Sequence, residues 1–300
     1  MQQTQQHMHI FDTHCHYNLD PLDQKWQDHW KQAQERGVIG SIVVGTTLET
    51  SLLATKISQE NEKLFSAVGV HPAYVQEIVS SEHTNATLES TMSALEKLIE
   101  VEINQTETAL NKIVAIGETG LDYFRLKDAD PETQEIKENQ KVALIEHIKL
   151  AQKYKLPVIL HVRDQEIPET NTLGNAYWDV VEITSHFSDV QYILHCVSGP
   201  LAYVQEMISR GAYVSVAANV TYNSAHHIRT LVASTPQTKL LLETDAPYLP
   251  PQPFRGQMCE PWMISQTAQY LENEMQINVE QILDNTYTCF SLLTRPNKSS

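Results

Sequence analysis

The feature that most constrains this chain is an alternation. Short apolar runs recur at residues 9–14, 39–45, 64–70, 113–118, 157–161, 191–195, 212–216 and 239–243, with helical patterns between them. Continuous apolar runs of this length mark parallel strands buried on both faces, because half-exposed strands alternate apolar with polar residues. Strands that alternate with helices build βα units, and eight of them favour an α/β fold closed into a (β/α)₈ TIM barrel over an open, doubly wound sheet. Trp26, Trp30 and Ala33 predict an early helix closed at Gly37. Asp130-Pro131-Glu132 predicts the start of another, which carries Val142, Ile145, Ile148 and Ala151 at helical spacing as its core face and ends before Leu156-Pro157. The tail beyond Glu260 predicts two C-terminal helices, with Val279, Ile282 and Leu283 on one face of the second. No long Gly/Ser/Pro linker interrupts the 300 residues, so residues 1–300 read as a single barrel domain.

Charge narrows the partners. A formal net charge of −16 excludes a broad basic surface for polyanions and confines any nucleic-acid contact to local cations, such as metal ions and a few arginines. The acidic stretch 128–138 reads as a solvated loop and helix start. No run approaches the ~20 apolar residues of a membrane span, and the first residues lack the pattern of a secretory signal, so a cytoplasmic protein without membrane contact is expected. No obligate protein partner is evident. Cys15, Cys196, Cys259 and Cys289 form no CxxC pair and are expected to be free thiols.

A barrel of this kind keeps its chemistry at the C-terminal ends of its strands. His14 and His16 end the first run, Glu118 the fourth, His161 the fifth and His195 the sixth, and Asp245 follows the eighth. Residues two apart on a strand face the same side, so His14 and His16 can serve one ion while Cys15 points away. Six side-chain ligands exceed what one ion needs, and a carboxylate can bridge two, so the set predicts two divalent ions ~3.5–4 Å apart with Glu118 as the bridge. Imidazole-rich ligation favours zinc or manganese over magnesium.

Six blocks then occur in order: Asp12-Thr-His-Cys-His16, Gly69-Val-His-Pro72, Gly117-Glu-Thr-Gly-Leu-Asp-Tyr123, His161-Val-Arg-Asp164, His195-Cys-Val-Ser-Gly199 and Glu243-Thr-Asp-Ala-Pro-Tyr248. Together they resemble the signature blocks of TatD-type metal-dependent deoxyribonucleases from about Phe11 to Pro261. The resemblance implies a (β/α)₈ barrel and divalent-metal-dependent phosphodiester hydrolysis, often 3′→5′ on DNA and commonly with magnesium. By position, His14, His16, Glu118, His161, His195 and Asp245 match the family's metal ligands, and His71 matches a residue beside the site. Two departures stand where substrate would be held. Ala73 replaces a second His usual after Gly-x-His-Pro, and Cys259 replaces the Asn of an Arg-Gly-x-x-Asn-Glu-Pro block within Arg255-Gly-Gln-Met-Cys-Glu-Pro261. The loop 165–175 is long for the family.

The expected roles follow from this placement. Glu118 bridges the metals, Asp245 is the general-base candidate, and His71 contacts the scissile phosphate. Arg163 and Arg255 are candidates to clamp phosphate, Arg163 being on the strand face of His161, and Tyr123 is a candidate to stack on a base. The expected partner is nucleic acid, single-stranded DNA first. Three rivals stand beside this reading. One is an amidohydrolase-type enzyme of a small amide, ester or phosphotriester, and another is a deacylase of charged RNA. The third is a barrel that binds without catalysing.

Overall fold

The computed structural model describes residues 8–80, 87–105, 111–127, 132–165, 167 and 174–292. Eight strands form one sheet: β1 (Ile10–Cys15), β2 (Val38–Val44), β3 (Leu64–Val68), β4 (Ile113–Asp122), β5 (Val158–Arg163), β6 (Tyr192–Leu194), β7 (Tyr213–Val216) and β8 (Leu240–Leu242). They are ordered β1 to β8 and every neighbouring pair is parallel. The sheet closes on itself where Cys15 bridges Ala246 in parallel register. The His16 N–H donates to the Ala246 carbonyl at 2.8 Å, and the Asp245 N–H donates to the His14 carbonyl at 2.9 Å. The chain is therefore a (β/α)₈ barrel, as the alternation predicts.

Helices fill the intervals: α1 (Trp26–Glu35), α2 (Leu48–Gln59), α3 (Pro72–Ser80), α4 (Leu88–Gln105), α5 (Thr133–Tyr154), α6 (Ala176–Ser185), α7 (Leu201–Ser209) and α8 (His226–Ser234), with α9 (Ile264–Met275) and α10 (Val279–Cys289) at the C-terminal end. α2 starts at a reciprocal cap between Thr47 and Thr50, and α6 and α10 start at the side chains of Asn175 and Asn278. The two expected terminal helices are α9 and α10. No helix of the described residues is long and apolar enough to cross a membrane, and the four cysteines are free.

Two cores divide the apolar residues. One lies between sheet and helices. The other fills the barrel, where Phe11, Ile42, Phe65, Ile159, Ile193 and Leu241 meet Leu283, Phe290 and Leu292 of the C-terminal segment. Leu283 lies on α10, and the α10 residue Asn285 donates to the Leu240 and Gln237 carbonyls at the start of β8. α10 thus plugs the N-terminal end of the barrel. Apolar packing ends partway up the lumen and the polar site occupies the other end.

Two local readings differ from expectation. Glu118 lies within β4 rather than at its end, because β4 and β5 continue together until Asp122 pairs with Arg163. Gly120 permits that close approach: its φ is +147°, and an added Cβ would run into the His161 carbonyl. On α5, Val142 is exposed, and the buried face is Gln140, Ala143, Leu144, His147, Ile148 and Ala151. Two polar residues sit on that face because they serve strand ends. Gln140 accepts from the Asp122 N–H and donates to its carbonyl. His147 Nε2 accepts from the Val70 N–H at 2.9 Å while its Nδ1–H donates to the Ala143 carbonyl at 2.7 Å. The residues expected to open this helix, Asp130 and Pro131, lie outside the described residues, and α5 is described from Thr133.

His147 gives the fold a measurable pH dependence. Burial pushes its imidazole from 6.5 down to about 4. The unfolded chain then binds the extra proton between those values, so this contribution is complete above pH 6.5 and is lost as pH falls toward 4. By linkage it amounts to roughly 3 kcal/mol. We expect the urea midpoint of the wild type to fall more steeply than that of His147→Gln between pH 7 and pH 4. Parallel curves over that window would remove His147 as the source.

Candidate metal centre

Alternation alone would aim the key residues the wrong way. Phe11 belongs to the interior core, and Thr13 reaches Ser215 on β7 from inside the barrel at 3.2 Å. Strict period-2 alternation then turns Cys15 inward and His14 and His16 outward. The structure inserts a residue: Asp12 pairs with Ser41 and Cys15 with Val43, so three steps of β1 oppose two of β2. Beyond that bulge His14 and His16 face the lumen and Cys15 joins the outer core, pointing away from the histidines as expected. β4 repeats the device. Ala115 is interior, and a shift between Ile116 and Thr119 against Val158 and Leu160 turns Glu118 inward.

The inward groups converge. His14 Nε2 and His16 Nε2 are 3.1 Å apart. Glu118 Oε2 lies 3.5 Å from His14 Nε2 and 3.9 Å from His16 Nε2. Its other oxygen, Oε1, lies 2.9 Å from His161 Nδ1, 3.6 Å from His195 Nε2 and 3.7 Å from His71 Nε2. Asp245 Oδ1 stands 3.5 to 3.8 Å from the Nε2 atoms of His16, His14 and His195. The rings of His14 and His195 stack at 3.7 Å. All six expected ligands thus meet in one buried pocket. His14, His16 and Glu118 form one group that could hold a metal ion, and His71, Glu118 and His161 another.

Hydrogen bonds decide which ring nitrogens are free to bind. His16 Nδ1–H donates to the Val44 carbonyl at 2.9 Å, so Nε2 carries its lone pair into the pocket. His195 Nδ1 lies 2.8 Å from Glu243 Oε1, which also accepts from the Cys196 N–H at 2.6 Å. Glu243 therefore stands directly behind the His195 ring. His161 is held from its far side by Asp122, with 3.3 Å between Nε2 and Oδ2. His71 is different. Its Nδ1 accepts from the Ala73 N–H at 3.1 Å, so the neutral ring turns an N–H, not a lone pair, toward Glu118.

The electrostatics follow from burying three carboxylates among five imidazoles. Burial would raise the Glu118 carboxyl, but His195 and His71 and hydrogen bonds to His14 and His161 hold it well below the usual range. Asp245 is likewise lowered, against burial, by His16, His195 and His14. Burial would lower His195 and His161, yet the acids around them lift these rings to about 10 and about 9. His16 is raised by Asp245 and Glu118 against its burial. His14 is lowered by burial and by His195, and burial brings His71 down to about 4. Without metal, protonated histidines balance the carboxylates. Metal ions at these positions would take over that role and displace the protons.

The outer residues separate. Tyr123 is only 1 % exposed and its hydroxyl donates to Asp179 at 3.1 Å. No ring face is open, so the expectation that it stacks on a base is corrected to barrel packing. Arg163 is exposed and lies over the Phe124 ring at 3.7 Å rather than in an ion pair. Arg255 is exposed and rests 4.5 Å from the Tyr222 ring centroid. Residues 166 and 168–173 of the long loop lie outside the described residues. The sequence reading missed Asp122 and Glu243 as site residues. Asp122 had a signal, since it lies four residues beyond Glu118 and so on the same strand face. The Glu243 signal was its place two residues before Asp245 within one block.

The chain matches the family model described as TatD related DNase over residues 11–294. It is 30% identical over 287 residues to the uncharacterized metal-dependent hydrolase YjjV of Escherichia coli K12, covering 94% of this chain and 98% of that protein. It is 30% identical over 275 residues to the uncharacterized metal-dependent hydrolase YabD of Bacillus subtilis, covering 91% and 94% of the two chains. The crystal structure of YjjV, a TatD homolog, superposes with a TM-score of 0.76 at 27% identity, over 94% of this chain and 98% of that one.

Glu243 offers a test of the centre that leaves its inward-facing groups in place. Replacing it by Gln removes the carboxylate behind His195, and we expect divalent-metal affinity to fall roughly ten- to a hundred-fold. Competition with a chromogenic chelator reads this directly, and an unchanged affinity would show that His195 is not oriented for metal through Glu243.

Proposed function

The chain belongs to the family of TatD related DNases, and from that footing we propose that it is a two-metal-dependent phosphodiesterase cutting DNA, as a 3′→5′ exonuclease on single strands. We read residues 1–300 as one catalytic domain. The observation that carries the proposal is the division of Glu118, with one carboxylate oxygen among His14 and His16 and the other among His161 and His195. A carboxylate shared in this way is the natural bridge between two ions, with Asp245 completing the set. The donors fit such ions, since the Nε2 lone pair of His16 is already turned inward. Imidazole-rich ligation favours zinc or manganese, while magnesium remains within the set to be tested. Bound divalent ions would supply Lewis acidity, lowering the pKa of a water and neutralising charge on the phosphate oxygens.

The chain's own groups do the rest. Asp245 is held ionised and its Oδ1 reaches both halves of the pocket, which suits it to take the proton of the attacking water. His71 stays neutral near pH 7 and offers its N–H to a non-bridging phosphate oxygen. The Arg255 fork is open to an adjacent phosphate. A small-ester or amide hydrolase, or a deacylase of charged RNA, is the second reading, favoured by the net charge of −16.

Purified protein with 3′-labelled or 5′-labelled single-stranded DNA, each divalent metal and a chelator control decides between them. We expect chelator-sensitive release of nucleotides from the 3′ end, abolished in a His14→Ala/His16→Ala protein. A folded, metal-loaded protein that leaves DNA intact and hydrolyses small esters would replace the proposal with the second reading. Asp245→Asn should lower kcat by roughly 10²–10⁴ if Asp245 is the base. Full turnover with the metal content unchanged would leave it a ligand only.

A further inference from the structure

The exposed aromatic rings of the described residues share one place. Among the described residues the exposed Phe, Tyr and Trp side chains are Tyr74 at 39%, Phe124 at 41% and Tyr248 at 53%. All three stand at the mouth of the metal pocket. The Tyr248 ring lies 6.1 Å from His16, and the Tyr74 ring 6.2 Å from His71. Phe124 is tied to the site through one carboxylate, because its N–H donates to Asp122 Oδ1 at 3.0 Å while Asp122 Oδ2 holds His161. The remaining strongly exposed apolar side chains are aliphatic. Open rings gathered at a catalytic mouth are the platform on which planar groups stack.

Phe124 carries a second element. The Arg163 guanidinium lies 3.7 Å over its ring centroid, and no ion pair or side-chain hydrogen bond of Arg163 occurs among the described residues. In a chain of net charge −16 this guanidinium meets no acid among the described residues. Its plane can accept a stacked base while its edge N–H groups remain free for phosphate.

Building on the phosphodiesterase reading, we propose that Phe124 and Arg163 form a nucleotide-recognition step beside the metals, with a substrate base stacking on the guanidinium that the ring backs and the adjoining phosphate meeting its N–H edge. The substrate class is therefore a single-stranded nucleic acid, since a base within a duplex has no free face. This assigns stacking to Phe124 rather than to its buried neighbour Tyr123.

An abasic substrate isolates this step. Two single-stranded oligodeoxynucleotides are compared with metal-loaded protein, one natural and one with abasic residues at the two positions flanking the scissile bond. We expect the wild type to prefer the natural strand in kcat/KM by about ten- to a hundred-fold, the scale of one or two stacked bases. The preference should collapse toward unity in Phe124→Ala and persist in Phe124→Tyr. A wild-type preference retained in Phe124→Ala overturns the assignment, as does equal cleavage of both strands by the wild type, and in either case the phosphodiesterase reading stands. Failure to cut either strand removes that reading and this inference with it.

Discussion

The structure depends on the seam between β1 and β8. A parallel sheet of eight strands has two edges, and closure removes both. The seam is short: one bridge from Cys15 to Ala246, two backbone bonds, and a buried carboxylate that replaces ladder bonds. Asp12 accepts from the Thr244 hydroxyl at 2.7 Å, from the Thr244 N–H at 3.0 Å and from the His14 N–H at 3.2 Å. Burial and nearby Glu243 raise its carboxyl to about 7 despite those donors. The same bonds carry His14 and His16 against Asp245, so barrel closure and assembly of the site are one event.

A second constraint is charge. Burying a carboxylate without compensation costs several kcal/mol, and this pocket buries Glu118 and Glu243 and leaves Asp245 only partly exposed. The histidines supply the compensation, and four of the five have a group of their own behind them: Val44 for His16, Glu243 for His195, Asp122 for His161, and Ala73 for His71. These partners separate the roles of chemically identical side chains. Four imidazoles could serve ions, and His71, with its Nδ1 accepting from Ala73, is turned as a donor.

Much of this was legible in the residues. The eight apolar runs became eight strands, and Val279, Ile282 and Leu283 became the buried face of the last helix. The six histidine and carboxylate positions met in one pocket. The failures share a cause. Val142 was read inward because it is apolar, but α5 turns Gln140 and His147 to the core to satisfy the ends of β4 and β3. Tyr123, the last residue of the Glu118 block, was a candidate to stack on a base, but its hydroxyl donates to Asp179 beneath the rim, and the exposed ring belongs to the next residue. In each case a partner distant in sequence decided which side faced out.

The sequence by itself determined the period of the elements, the barrel they close into, and the identity and order of the groups at its catalytic end, because local patterning and residue chemistry are carried within a few positions. Only the tertiary structure decided where those groups point. Along β1 and β4, simple alternation from the interior residues Phe11 and Ala115 sends His14, His16 and Glu118 away from the lumen. A bulge in each strand reverses that. It shows in the pairing with β2 and β5, and within the strands only Gly117 of β4, at φ +136°, marks its place. Side-chain direction in a sheet depends on register, and register exists only once the neighbouring strand is in place.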